Sequence, residues 1–186
     1  MVAPAVVTEN QWTYERYLRE TAEGEYFAII QGEKVVSPSP TSLHQAILIN
    51  LSVLFQMWLY KSQIGKIRIA PFDVVFSPTE IVQPDLILAL TEHLDRLTEK
   101  NFQGAPDLVI EILSPGSRRL DRVKKRALYA RYHVPEYWIV SPGEKTVEVL
   151  RWQGDQYVEE LFEEDDLVQS PLLPGFTCVT KDIFVE

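Results

Sequence analysis

Two short segments constrain this chain more than any others: VQPDLIL around Asp85 and PDLVIEILS around Glu111 are almost continuously apolar, yet each carries a carboxylate within its apolar run. Runs of this length and composition fit strands covered on both faces. An ionised carboxylate inside such a strand is costly unless it is paired or coordinates a metal. The two strands are therefore expected to share one site. There Asp85 and Glu111, with the backbone carbonyl of Ile112, would hold magnesium or manganese through oxygen ligands. Such an ion lowers the pKa of a bound water and neutralises charge on a phosphate oxygen. Taken singly, either acid also reads as a strand-end residue satisfied by a backbone amide or an arginine.

The surrounding pattern predicts the frame. Glu9 to Glu20 reads as a short amphipathic helix, and Tyr26 to Val36 as a hairpin turning at Gln31-Gly32. After the loop SPSPTS, Ser42 and Gln45 have the capping-box form. Apolar spacing from Leu43 to Tyr60 predicts the main packed helix, closed by Gly65. Lys66 to Phe76 alternates as one half-buried strand with a bulge or edge position at Pro71, and Ile81 to Leu90 and Asp107 to Leu113 follow as buried strands. A helix from about Arg119 to Tyr132 leads into a strand from Glu136 to Val140. Thr146 to Trp152 and Gln156 to Phe162 form a hairpin across Gly154-Asp155. The expected fold class is α/β in a single domain spanning residues 1–186: a mixed central sheet flanked by the two long helices, with a C-terminal β extension. Apolar runs of about strand length, the lack of a basic-then-apolar leader and a lone cysteine, Cys178, point to a cytoplasmic protein that makes no membrane contact.

The second helix supplies the complementary charge. Asp121, Lys125 and Tyr129 recur every four residues along one flank, so the Lys125 ammonium is expected beside the two acids, facing a phosphate. Lys124 lies about 100 degrees away around an α-helix. The plainer reading makes Lys125 a surface lysine paired with Asp121. A net charge of -9 opposes bulk attraction to nucleic acid. Residues 118–131, however, are net +6, leaving -15 elsewhere. That run is either a solvated helix face or a phosphate-contacting one, which makes Arg122, with Asp121 and Tyr129, a candidate for contacting phosphate or water.

Pro84-Asp85, the EILSP run from Glu111 to Pro115, D-x-x-x-K-x-x-x-Y from Asp121 to Tyr129, VPEYWIV and LLPGF occur in that order. The set resembles the restriction-endonuclease-like family catalogued as domain of unknown function 820, of the PD-(D/E)XK nuclease superfamily, from about Tyr14 to Phe176. The resemblance implies a metal-dependent endonuclease acting on DNA, with Asp85 the acid of the PD element and Glu111 that of the (D/E)XK element. The usual strand lysine position falls on Leu113, and the resemblance puts the lysine on the following helix, at Lys125. It also gives His44 a role in orienting water or contacting phosphate; the residues alone read it as a capping or core histidine. Ala28 stands where relatives carry an acid in the first hairpin, and Glu25, three residues away, faces the other side of a strand. A homodimer would suit cleavage of two strands. The competing reading is a weak or inactive nuclease-fold module that binds nucleic acid or a protein partner, and another phosphate ester would suit the same site.

Overall fold

Two prolines decide how this chain divides its strands. In the computed structural model, which describes residues 10–22, 24–36, 38–116 and 118–185, the expected strand from Lys66 to Phe76 is two strands in different sheets. They are β3 (Gly65–Ile69) and β4 (Asp73–Ser77), separated at the cis Ala70-Pro71 peptide. The expected strand from Ile81 to Leu90 is likewise divided, into β5 (Glu80–Val82) and β6 (Leu86–Leu90), across Gln83-Pro84-Asp85. A proline has no N–H for the ladder, so each sheet stops where its proline falls. The two breaks are neighbours in space, because the Ala70 N–H donates to the Asp85 carbonyl at 3.0 Å. Asp85 thus stands at the joint between the sheets.

The larger sheet has six strands in the order β11-β10-β9-β8-β6-β3, and the smaller five in the order β2-β1-β5-β4-β7. The remaining members are β1 (Ala28–Ile30), β2 (Glu33–Val35), β7 (Asn101–Gln103), β8 (Leu108–Ile112), β9 (Glu136–Ser141), β10 (Thr146–Gln153) and β11 (Gln156–Glu163). Both sheets are mixed: β8 runs parallel to β9 and β4 to β7, while the other pairs are antiparallel. The C-terminal β extension is present in two parts: β10 and β11 continue the larger sheet beyond β9, and Leu167–Gln169 pairs with Thr177–Val179 as a separate two-stranded sheet.

Alternation along β6, β8 and β9 sends side chains to two apolar layers. On one face Leu86, Leu88, Ile110, Ile112, Trp138 and Val140 meet Ile47, Leu51, Phe55 and Leu59 of α2 (Ser42–Ser62). On the other, Ile87, Val109, Tyr137 and Ile139 meet Leu128 and Tyr129 of α3 (Arg126–Arg131), together with Ala28, Val74 and Val82 of the smaller sheet. Leu172, Leu173 and Phe176 of LLPGF cover the α2 side, where Phe176 stacks on Phe55 with ring centroids 4.4 Å apart.

Local signals were partly misread by pattern. The α2 cap is Thr41, whose side chain accepts the His44 N–H at 3.2 Å, rather than Ser42. Gln63, with φ of 56°, ends the helix in place of Gly65. Gly65 instead opens β3, where a β-carbon would lie 2.5 Å from the Ala89 carbonyl oxygen, so glycine is required by close approach. The first helix, α1 (Tyr14–Glu20), begins after Thr13, and Glu9 lies outside the described residues. By length and composition alone α2 is apolar enough to cross a membrane, contrary to the expectation that apolar runs stop at strand length. Its inward face accounts for much of that content by packing on the sheet.

Candidate active site

The β6–β8 ladder ends at the pair Leu86 and Ile110, which leaves the backbone of Ile112 beyond it. Asp85 Oδ2 takes up this free edge, accepting the Ile112 N–H at 2.7 Å. The same oxygen lies 3.2 Å from His44 Nε2, brought in by the first turn of α2. Glu111, one residue earlier on β8, projects to the opposite face, towards α3. Its Oε2 accepts from Lys125 Nζ at 2.8 Å and its Oε1 from the Tyr129 hydroxyl at 2.5 Å.

Leu120 to Lys125 winds as a π-helix before α3, and the Arg126 N–H reaches back five residues to the Asp121 carbonyl. Single wide turns of this kind recur at functional sites. Here the turn buries both Asp121 and Lys125, leaving them 2% and 5% exposed, with Nζ 3.0 Å from Asp121 Oδ1. The 100-degree spacing that separated Lys125 from Lys124 does not apply on a π turn. Lys125 Nζ nevertheless turns inward to Glu111, while Lys124 faces outward, 3.8 Å from Glu33. His44, Asp85, Glu111, Ile112, Asp121 and Lys125 all line one cleft of about 430 Å³. Ala28, where the resemblance places an acid, lines the cleft, as does Asp121 from another element, whereas Glu25 accepts from Lys34 at 2.6 Å.

Burial pushes the Glu111 carboxyl up to about 8, against the opposing pull of Lys125, with Asp121 and Asp85 adding to the rise. Burial also works against the Lys125 ammonium, but Glu111 and Asp121 outweigh it and raise its pKa. The proton therefore stays on the lysine, and Glu111 is an acid that readily takes one up. Burial, then the Glu111 charge, holds Tyr129 well above 10, so its hydroxyl remains a donor. Burial lowers His44, yet the hydrogen bond and charge of Asp85, the Ile112 backbone and Asp121 together raise it.

A family model described as "Putative restriction endonuclease" (Uma2) matches residues 13–181. The chain belongs to the Uma2 family. Among solved structures, one from Anabaena variabilis ATCC 29413, described as "a putative nuclease belonging to DUF820", superposes with a TM-score of 0.78. The two are 24% identical over 92% of this chain and 97% of that one, a likeness of fold. Comparison with curated proteins finds no match.

In this Uma2 member the usual strand lysine position, Leu113, belongs to the apolar core behind α3, and the ammonium beside Glu111 comes from the helix. Arg122 does not join the site. Its guanidinium is bound to Glu148 and lies 3.4 Å from the Ser141 hydroxyl, outside the cleft lining. The basic run as a whole is largely neutralised: Arg118 pairs with Glu144, Arg126 with Glu159 at 2.8 Å and Arg131 with Glu80 at 2.6 Å. Sequence reasoning missed Tyr26 and Gln83 in the cleft lining. Gln83 is held by Asp73 at 2.7 Å, and its place directly before Pro84-Asp85 was the available signal. Among the described residues, Glu92, His93 and Asp107 also bring potential ligand atoms within 4.8 Å of one another, away from the cleft. Asp107 there accepts the Leu90 N–H at 2.7 Å and lies 2.8 Å from His93 Nδ1, a strand-end contact.

Proposed function

We propose that this chain hydrolyses phosphodiester bonds of DNA with a divalent cation, magnesium or manganese, held by Asp85 and Glu111 with the Ile112 carbonyl. The observation that carries this reading is the meeting of three carboxylates, His44 and Lys125 in one cleft. The donor set fits a hard cation, being carboxylate and carbonyl oxygen with Asp121 close by. Asp85 is the acid most open to the cleft, its side chain 17% exposed against 3% for Glu111. When bound, such a cation supplies an activated water and neutralises charge on a phosphate oxygen. Lys125 has three N–H donors and two acidic partners, which leaves one donor for a phosphate oxygen. Asp121 holds that ammonium in place, Tyr129 fixes the orientation of Glu111, and His44 braces Asp85 or contacts the phosphate.

The test is incubation with DNA and magnesium beside Asp85→Asn and Glu111→Gln, which keep side-chain volume. Cleavage by the parent and its loss in both variants is the expected result. Equal cleavage, or none, in all three defeats the reading. A second reading, a nuclease-fold module that binds without cutting, is favoured by one observation: Lys125 and Tyr129 already occupy both oxygens of Glu111. Calorimetry separates the two, since the enzyme gives a magnesium binding heat that Glu111→Gln abolishes, and the module gives none.

A further inference from the structure

The cleft also carries information about which form of nucleic acid it admits. A duplex is gripped mainly through free cations laid along its phosphates, and each neutralised phosphate shows as salt dependence. Within the basic run, Arg118, Arg122, Arg126 and Arg131 are each already paired with a glutamate and Lys124 lies 3.8 Å from Glu33, so among the described residues of that run only Arg119 has no acidic partner. Much of the binding strength then comes from within the cleft. Its volume of about 430 Å³ is near the low end of the roughly 300–1,000 Å³ of small-ligand sites, space for about one nucleotide.

The lining suits that occupant. Beside the acids, Lys125 and His44, it mixes the polar Ser39, Gln45 and Gln83 with an apolar wall that includes Pro38, Pro40, Pro71, Ala28 and Tyr26. Tyr26 and Ala28, two residues apart, fall on the same side of an extended segment. The Ala28 methyl leaves the wall beside the tyrosine small and neutral, and the Tyr26 residue is 53% exposed. An exposed ring lining the same cleft as an ammonium is suited to an unpaired base, because every base has a π-face to stack.

We propose that the cleft takes an unpaired nucleotide of a DNA strand, its base stacked on the Tyr26 ring and its phosphate turned to Lys125. The preferred substrate is therefore single-stranded DNA or an unpaired site within a duplex; the proposal rests on the nuclease reading for the chemistry that follows binding. Fluorescence anisotropy in EDTA tests it, using a labelled single-stranded oligonucleotide and the duplex of the same sequence, with the parent, Tyr26→Phe and Tyr26→Ala. The parent binds the single strand at least about tenfold more tightly than the duplex. Tyr26→Ala loses about 10- to 100-fold on the single strand, and Tyr26→Phe stays within about twofold of the parent. An oligonucleotide of abasic sites lowers parent affinity by a similar factor and costs Tyr26→Ala little more. Equal binding of duplex and single strand, or an unchanged Tyr26→Ala, overturns the proposal. Parallel cleavage assays keep the two readings apart. Cleavage without any Tyr26 effect on binding defeats this inference alone, and Tyr26-dependent binding without cleavage defeats the nuclease reading alone.

Discussion

Replacing Lys125 by methionine keeps most of the side-chain stem while removing the charge from between two buried acids. Breaking a buried ion pair from one side costs about 3–5 kcal/mol, because the remaining charge is left uncompensated. Two features set where the cost falls in that range. Glu111, at about 8 with the lysine present, rises further once it is gone, so at pH 7 it is protonated and adds no uncompensated charge. Asp121, 2% exposed, still loses its cation at 3.0 Å. The expected loss is therefore about 3 kcal/mol at pH 7, growing towards about 5 kcal/mol at pH 9 as ionising Glu111 becomes costly. Urea denaturation in EDTA, followed by tryptophan fluorescence, reads this as a midpoint lowered by about 1 M or more. In the Glu111→Gln background the same replacement costs at least about 1 kcal/mol less at pH 9, a coupling expected of groups in contact. A cost below about 1 kcal/mol at both pH values, and additive with Glu111→Gln, would refute the buried triad as the organiser of this site.

Two further outcomes follow from the same geometry. Because burial raises Glu111 from 4.5 to about 8, the folded chain holds this proton more tightly than the unfolded one. Its contribution is fully present below about pH 4.5 and is lost as pH rises through about 8, with a slope of at most ~1.4 kcal/mol per pH unit; metal-free thermal melts of Glu111→Gln should show a flatter decline than the parent, and superimposable curves would count against it. Leu113→Lys, which restores the strand lysine of related nucleases by pattern, should lower stability by roughly 2–4 kcal/mol without rescuing Lys125→Met, because position 113 faces the apolar core rather than the cleft; rescue of cleavage would show that the site tolerates either origin of the ammonium.

The acids were legible because a charge inside an apolar run is conspicuous whatever surrounds it; Asp85 stands just before β6 rather than within a strand, and it lines one cleft with Glu111. Lys125 was legible through its spacing to Asp121 and Tyr129, and both it and Tyr129 bind Glu111. The strand breaks at Pro71 and Pro84 were not read as changes of sheet, since apolar residues continue on both sides of each proline, from Ile69 to Phe72 and from Val82 to Leu86. The π turn left no trace either, as helical propensity does not distinguish it from an α-helix. The basic run misled for a related reason: Glu80, Glu144, Glu148 and Glu159 reach it from other parts of the fold.

What the amino-acid order determined alone was local: roughly where strands and helices lie, which apolar runs carry a costly charge, and which side chains share a helix flank. Those properties depend on neighbours a few residues away, where backbone geometry is nearly invariant. Tertiary structure decided the rest, bringing Asp121 in as a third carboxylate, leaving Ala28 beside Tyr26, and cancelling the arginines with distant glutamates. Charge and hydrogen bonding act through space at a few ångströms, so what a side chain does here depends on which remote segment folds against it.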